Sequence, residues 1–200
     1  MGYIDDLKLR FPDNYIGITR GFTSIHRGLD LGWNSSYGGQ NCNIYAPADG
    51  AIVFMLDSMN NTYSSGIANW GNYVKIDHGQ NVYTLMAHML RGSITSADIR
   101  VGSRVKKGQF IGRMNNSGYS NGSHLHYEVY NGGADTIYRV DPLKYTYVYP
   151  DQTVSPNTEL KAAIMYYTEK DFYSNKKNED LERILTLLID ATDTLKEYVI

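Results

Sequence analysis

The sequence predicts a mainly β protein, an antiparallel sandwich or barrel, followed by a short C-terminal helical extension. Three observations indicate this fold class. Short apolar or alternating runs are separated by turn-forming residues, tyrosine and glycine are abundant at 18 and 19 residues, and the composition changes after Tyr149. Tyrosine favours strands and glycine favours turns, so together they are typical of a β-rich domain. We therefore expect one domain over residues 1–149 and a linker with a helical extension over residues 150–200.

Five runs in the first domain are short enough for strands, and each is either apolar or alternating. They are residues 51–56, 73–77, 82–88, 109–114 and 124–130. The segments Asp-His-Gly, Asn-Asn-Ser-Gly and Ser-Asn-Gly lie between them and have the composition of turns. Several short strands at this spacing favour an antiparallel arrangement.

The C-terminal extension carries two helix signals. Ser155 followed by Pro156 is a capping residue with proline at the first helical position, and that helix is expected to reach about Lys170. A second helix begins near Asn178, with acidic residues in its first turn. Its apolar positions form one stripe: Leu181, Leu185, Leu188, Thr192, Leu195 and Val199. The stripe packs on the domain or, alternatively, forms a short coiled coil or docking helix for self-association or attachment to a larger assembly.

Charge and hydropathy exclude several classes of function. The formal net charge is −2 and the pI is about 6.2, so there is no basic surplus for nucleic-acid binding. No apolar run approaches the roughly 18 residues of a membrane-spanning helix, so membrane insertion is not expected. Residues 1–15 lack the basic and apolar regions of a signal peptide. Cys42 is the only cysteine, which excludes an intramolecular disulfide and a thiolate-rich zinc site; we interpret it as a small buried or loop residue.

Two histidines, His124 and His126, stand two positions apart in the segment Ser-His-Leu-His-Tyr-Glu. On a strand, residues i and i+2 point to the same face, whereas on a helix they would point about 200° apart. Leu125 and Tyr127 then face the core, and Glu128 shares the face of the two imidazoles. By itself, the pair is equally compatible with an exposed histidine face that binds no ligand.

His26 and Asp30 are separated by four positions in the segment His-Arg-Gly-Leu-Asp. Gly28 and Gly32 argue against a stable helix, so the two side chains would converge from an extended or irregular segment. With one histidine of the His-Leu-His segment they form a His₂Asp set. Three nitrogen and oxygen ligands with one open position are typical of a catalytic rather than a structural zinc, and the absence of cysteine ligands agrees.

The two remaining histidines are expected to differ in role. His88 ends the alternating run 82–88, so it is predicted at the exit of a strand, where it can face a cleft. His78 is predicted in a turn between two strands, and we interpret it as a structural residue.

Taken in order, these histidines and the aspartate resemble the lysostaphin-type zinc endopeptidases of bacterial cell walls. That family's pattern is His-x-x-x-Asp, then a His in a Tyr-x-His-like context, then His-x-His, and each position has a counterpart here. Residues 46–54, 71–79 and 101–112 also resemble the family's first core strand, its central hairpin and a biotin-carrier-like hairpin. The resemblance spans about residues 19–148. It implies an open antiparallel β-sandwich with zinc at the floor of a groove walled by loops.

The resemblance also implies roles for single residues. His26, Asp30 and His126 would bind Zn²⁺, while His88 and His124 would stay unligated beside it and transfer protons.

Two positions depart from the family pattern. Met86 stands where the family has a tyrosine two places before His88, and we interpret this change as packing. Arg20 stands six places before His26, where some relatives carry a tyrosine that helps to hold the transition-state oxyanion. Arg20 is therefore either a charge-assisted donor in catalysis or a plain surface residue.

The sequence thus predicts a zinc metalloendopeptidase that hydrolyses peptide cross-links or stem-peptide bonds of peptidoglycan. Loops over residues 33–43 and 57–70 would wall the groove and select an extended peptide, although Trp33 and Trp70 within them are equally compatible with a role in fold stability.

The expected location is extracellular, in the cell wall or on a virion, as in the endopeptidase domain of a bacteriophage tail-associated lysin. The alternative is a catalytically inactive wall-binding or scaffold module of the same fold, such as a virion tail component. Such relatives usually lack a zinc or catalytic histidine, and this chain lacks none.

Overall fold

A computed structural model of the chain describes residues 2–60 and 69–155. The chain divides into two compact units, Met1–Thr153 and Val154–Ile200. The predicted C-terminal helices and their apolar stripe lie outside the described residues, apart from Ser155. The expected boundary between residues 149 and 150 stays a prediction.

The main feature of the first unit is an open, antiparallel sheet. Its strands are, in spatial order, β3 (Ile18–Arg20), β4 (Leu29–Leu31), β11 (Leu125–Asn131), β8 (Val82–Met89), β7 (Asn72–Gly79), β6 (Gly50–Leu56) and β9 (Arg104–Val105). β12 (Arg139–Val140) pairs with β11 as well. Among the described residues, β3 and β9 form the two ends of the sheet and do not pair with each other, so the fold is the expected open one and not a closed barrel.

Smaller elements surround this sheet. β5 (Asn43–Tyr45) pairs with β10 (Phe110–Arg113) antiparallel, and β1 (Leu9–Arg10) pairs with β13 (Thr146–Tyr147) parallel. The other strands are β2 (Tyr15–Ile16) and β14 (Thr153–Val154). The α-helices are α1 (Tyr3–Leu7) and α2 (Ser93–Ser96), and 3₁₀ turns span Ser35–Tyr37, Gly39–Asn41, Thr136–Tyr138 and Pro142–Lys144. No helix among the described residues is long and apolar enough to cross a membrane.

β11 lies in the interior of the sheet, and both of its faces are buried. Leu125, Tyr127 and Val129 are fully buried on one face, and burying such side chains typically contributes about 1.5–3 kcal/mol each. The opposite face presents His126 and Glu128, both buried as well. β11 lies between β4 and β8, so it can bring side chains from distant parts of the chain together.

All five expected strands are present, with ends that differ by one or two residues. His124 immediately precedes β11 and is connected by an isolated bridge to Asn115. Met86 is fully buried, as the packing interpretation predicted, and Cys42 is buried at 1% exposure.

His78 requires a correction, because it lies within β7 and the turn follows it. Its ring contacts the carbonyl of Asp49 and the hydroxyl of Thr84, each at 2.8 Å, which confirms a structural role.

Candidate metal centre and groove

A groove of about 930 Å³ opens beside β4, β8 and β11. Its lining includes every residue that the sequence singled out as a site residue: Arg20, His26, Asp30, His88, His124 and His126. The predicted members of the site are therefore brought together from four separate segments of the chain.

Three ligand atoms converge at the floor of this groove. Asp30 Oδ1 lies 2.8 Å from His126 Nδ1 and 3.1 Å from His26 Nε2, and the two nitrogens are 3.2 Å apart. Ligands at about 2.0–2.1 Å around a tetrahedral Zn²⁺ lie about 3.3–3.4 Å from one another. Among the described residues, these three form the group of titratable side chains that could hold a metal ion, and their spacing fits zinc.

Strand pairing explains how the three groups meet. Asp30 on β4 is the direct partner of His126 on β11, so both side chains lie on one face of the sheet. Gly28 precedes β4 and leaves room for the His126 ring, because a Cβ at this glycine would lie 2.7 Å from His126 Cε1. His26 is held in the bend before β4, where its N–H donates to Thr23 Oγ1 and its carbonyl accepts from Thr23 N.

Hydrogen bonds to the protein fix the orientation of all four groove histidines. His26, His88 and His124 each place Nδ1 within 2.7–2.8 Å of a backbone carbonyl, of Gly21, Ser117 and Gly122 respectively. His126 instead places Nε2 3.0 Å from Glu128 Oε1. A carbonyl or carboxylate oxygen only accepts, so each of these nitrogens carries a hydrogen. At His26 and His126 the other ring nitrogen faces the aspartate, which is where a metal would bind once that nitrogen carries no hydrogen.

His88 and His124 lie beside the three ligand atoms without joining them. Their ring centroids are 4.7 Å apart, and His124 Nε2 is 3.6 Å from Asp30 Oδ1. His88 has a left-handed backbone with φ of 61°, a conformation that is uncommon for a residue other than glycine. Such strain is typical of functional positions. As predicted, His88 lies near the exit of its strand and faces a cleft.

Burial and charge set the protonation of the ligand groups. Burial alone would favour the neutral acid of Asp30, but hydrogen bonds from His126 and His26 hold the pKa of its carboxyl well below the usual range. Burial also disfavours the imidazolium of His126. Hydrogen bonds to Asp30 and Glu128 outweigh that effect and raise the pKa of His126 to about 9 in the metal-free protein. The site is thus built around an ionised carboxylate.

His88 shows the opposite shift. Burial, followed by the neighbouring charges of His124 and His126, lowers the pKa of His88 to about 3. Its imidazole is therefore neutral at pH 7.

Glu128 extends the site behind His126. It is 1% exposed, its Oε2 accepts a hydrogen bond from the Tyr130 hydroxyl, and Arg139 Nε lies 3.0 Å away. Burial would favour the neutral acid, but contacts with His126 and Arg139 lower the pKa of Glu128. The alternation of β11 predicted that Glu128 lies on the same face as the imidazoles. No sequence pattern indicated that Arg139 on β12 would contact it.

Arg20 lies on the rim of the groove. It is the partner of Asp30 in the β3–β4 pair, next to a register shift, and its side chain is exposed. Trp33 and Trp70 also line the groove, as do the exposed side chains of Ile25 and Tyr119.

Comparison with known proteins gives a consistent result. The model of the family described as "Peptidase family M23" matches residues 24–140. The peptidoglycan DD-endopeptidase ShyA of Vibrio cholerae is 34% identical over 86 residues, which cover 43% of this chain and 17% of that protein. The DD-carboxypeptidase/endopeptidase Mpg of Neisseria meningitidis is 30% identical over 138 residues, 69% of this chain and 26% of that protein. The chain thus spans about a quarter or less of the length of these curated relatives.

Among solved structures, Csd3 of Helicobacter pylori superposes with a TM-score of 0.52 and 24% identity, over 86% of this chain and 43% of that chain. This similarity concerns the fold.

Proposed function

The chain belongs to peptidase family M23, and from this premise we propose that it is a zinc metalloendopeptidase that hydrolyses peptide cross-links or stem-peptide bonds of bacterial peptidoglycan. The observation that carries the proposal is the convergence of His26 Nε2, Asp30 Oδ1 and His126 Nδ1 within 3.2 Å of one another. One relative of similar sequence is named a peptidoglycan DD-endopeptidase and another a DD-carboxypeptidase/endopeptidase, which supports the substrate class.

His26, Asp30 and His126 would hold the metal. When bound, zinc would supply a Lewis acid that polarises the scissile carbonyl and lowers the pKa of a water molecule from about 15.7 to near 7. The chain contributes the arrangement: Asp30 is already ionised, and His26 Nε2 and His126 Nδ1 both face the same carboxylate oxygen. The protein therefore has to rearrange little when it binds the ion.

His88 and His124 would move the protons. Hydrolysis adds water across the C–N bond, so one proton must leave the water and one must reach the departing amine. Each of these histidines keeps its Nδ1 hydrogen on a backbone carbonyl, which leaves Nε2 as the proton-transferring atom. A pair of histidines would serve as base and acid without a catalytic glutamate.

Arg20 would act on the carbonyl oxygen. Since it pairs with Asp30 and is exposed on the groove side, its guanidinium can donate charge-assisted hydrogen bonds to an oxyanion that forms there.

The groove walls would select the peptide. Exposed side chains of Ile25, Trp33 and Tyr119 give the rim an apolar, partly aromatic character. An extended chain with small residues can lie along such a surface, whereas a folded protein cannot reach the floor. We place the site of action outside the cytoplasm, at the cell wall, where this substrate occurs.

The alternative, an inactive wall-binding or scaffold module, is less well supported, because all four histidines and the aspartate converge in one groove. Attachment to a virion and self-association through the C-terminal helix stay predictions.

The deciding experiment is digestion of purified peptidoglycans with different cross-bridges by the zinc-loaded protein, followed by mass spectrometry of the released fragments. We expect new amino and carboxyl termini at one type of peptide bond, loss of the products with a chelator, and recovery on adding zinc. If the zinc-loaded protein released no fragment from any of these peptidoglycans, the proposal would fail.

A further inference from the structure

Glu128 occupies a position that the proposed chemistry does not use directly. We propose that Glu128 is a positioning residue, which holds the His126 ring in the orientation and tautomer that present Nδ1 to the metal. This inference rests on the proposed function, since it assigns a role to the surroundings of the same metal centre.

The hydrogen-bond partner of His126 differs from those of the other groove histidines. Three histidines donate to backbone carbonyls, but His126 donates to a carboxylate, Glu128 Oε1, at 3.0 Å. A carboxylate acceptor fixes the tautomer as a carbonyl does and also raises the electron density of the imidazole. His126 should therefore be a stronger nitrogen ligand for the metal than His26.

The geometry excludes Glu128 itself as a ligand. The His126 ring stands between the two carboxylates: Nδ1 faces Asp30 at 2.8 Å, and Nε2 faces Glu128 at 3.0 Å. Because opposite sides of one ring are used, the Glu128 carboxylate acts on the metal through the ring alone.

Contacts at its second oxygen hold Glu128 in place. Oε2 accepts from the Tyr130 hydroxyl and lies 3.0 Å from Arg139 Nε. One face of β11 carries all three hydrogen-bonded side chains, because His126, Glu128 and Tyr130 occupy alternate positions of the strand. Arg139 also lines the groove and has its guanidinium 5.6 Å from the Trp70 ring centroid, and Glu128 is 1% exposed.

Burying the Glu128 carboxylate on an interior strand carries an unfavourable desolvation free energy. The direct partner of Glu128 on β8 is the fully buried Leu85, and an apolar side chain at position 128 would avoid the desolvation of a charge. A purely structural role would predict that the network matters for stability only. A positioning role predicts that it also matters for zinc affinity in protein that remains folded.

The test compares zinc affinity in wild type, Glu128→Gln and Tyr130→Phe, measured by competition with a chromophoric chelator, together with the absorption spectrum of each cobalt-substituted protein. Glu128→Gln keeps an acceptor but removes the charge, and we expect zinc to bind about 10–100-fold more weakly with a shifted cobalt spectrum. Tyr130→Phe keeps the charge but frees one oxygen, so a smaller loss in the same direction is expected.

Asp13→Asn is the matched control, because it also converts a buried carboxyl to an amide but lies outside the groove lining. It should bind zinc as wild type does. Thermal unfolding of each metal-free protein shows which variants are folded. If Glu128→Gln fails to fold, the zinc affinity and cobalt spectrum of Tyr130→Phe test the role of Glu128.

The outcomes separate the two proposals. Wild-type zinc affinity and an unchanged cobalt spectrum in the folded Glu128→Gln protein would overturn the role of Glu128 and leave the proposed function standing. If Glu128→Gln were unfolded, wild-type zinc affinity and an unchanged cobalt spectrum in Tyr130→Phe would overturn the role of Glu128 instead. A wild-type protein that bound no zinc would overturn both.

Discussion

His88 and His124 line the same groove with their ring centroids 4.7 Å apart, and each donates its Nδ1 hydrogen to a backbone carbonyl. The Nε2 atoms of these two histidines do not belong to the three-atom cluster of His26, Asp30 and His126. Metal binding and proton transfer should therefore be separable by mutation.

We expect His88→Ala and His124→Ala to keep near-full zinc but to hydrolyse peptidoglycan about 10²–10⁴-fold more slowly, because each removes a proton-transferring group. His126→Ala should lose both metal and activity. Metal content by mass spectrometry and initial hydrolysis rates give the comparison.

His78→Gln is the control for replacing a buried histidine, since His78 lies in β7, outside the groove lining, and bonds to the Asp49 carbonyl and the Thr84 hydroxyl. It should lower stability but not zinc content or the rate per folded molecule. If His124→Ala came out metal-free while His126→Ala kept zinc, the two roles would be reversed.

Zinc affinity should depend steeply on pH. In the metal-free protein the pKa of His126 is about 9, so below that pH zinc must displace a proton from the imidazole. The apparent Kd should then rise about tenfold for each pH unit below 9. Chelator competition between pH 6 and 9.5 measures this slope. Full zinc retention at pH 4 would contradict a His₂Asp site.

Asp13 should make the metal-free protein less stable as the pH rises through the acidic range. Burial raises the pKa of its carboxyl from 3.8 to about 6, despite hydrogen bonds from Tyr15 N and the Cys42 thiol. The folded state therefore binds the proton more tightly than the unfolded state. The resulting stability is fully present below pH 3.8 and is lost as the pH rises through 6.

Since one pKa unit corresponds to about 1.4 kcal/mol, this contribution amounts to about 3 kcal/mol. Asp13→Asn cannot ionise, so its free energy of unfolding should gain about 3 kcal/mol on wild type between pH 3.5 and pH 7. Urea denaturation of both metal-free proteins at several pH values tests the expectation. A constant difference across that range would show that Asp13 titrates normally.

Arg20→Ala should slow hydrolysis without changing zinc affinity. The loss of one charge-assisted donor to an oxyanion typically costs about 10²–10³-fold in kcat. Arg20→Lys keeps the charge but not the planar fork and should recover part of the rate. An Arg20→Ala protein with wild-type kcat would identify Arg20 as a surface residue.

Gly28→Ala should weaken zinc binding from outside the ligand set. The added methyl would lie 2.7 Å from His126 Cε1 and 2.8 Å from the Tyr127 carbonyl oxygen, so the ring or the β4–β11 pair must move. Such overpacking typically destabilises a protein by about 1–3 kcal/mol. Thermal unfolding and chelator competition report the two effects separately. Wild-type zinc affinity in this variant would mean that the His126 position tolerates the displacement.

Local patterns were sufficient to predict much of this site. The alternation in residues 124–130 placed His126 and Glu128 on one face, and the glycines around Asp30 indicated an extended segment. The resemblance to a known family then separated His126 from His124. The partners His126 and Asp30 come from strands whose register depends on the whole sheet, and the spacing along the chain does not contain that information.

Other features depend on tertiary structure alone. The left-handed backbone of His88 lies at a register shift between β7 and β8, and the Ser117 carbonyl accepts from its ring. Arg139 reaches Glu128 only because β12 pairs with β11. The position of His78 within a strand was not predicted, because the following Gly79 suggested a turn two residues too early.

The wide separation of the ligand residues along the chain has a consequence for how the ion is lost and regained. His26 and His126 are 100 positions apart, and β4, β8 and β11 hold their places by backbone pairing and an apolar core that do not involve the ion. Removing zinc should therefore leave a folded, dormant protein rather than an unravelled one. Such a molecule could be switched back on by resupplying the ion, with no chaperone and no new round of folding.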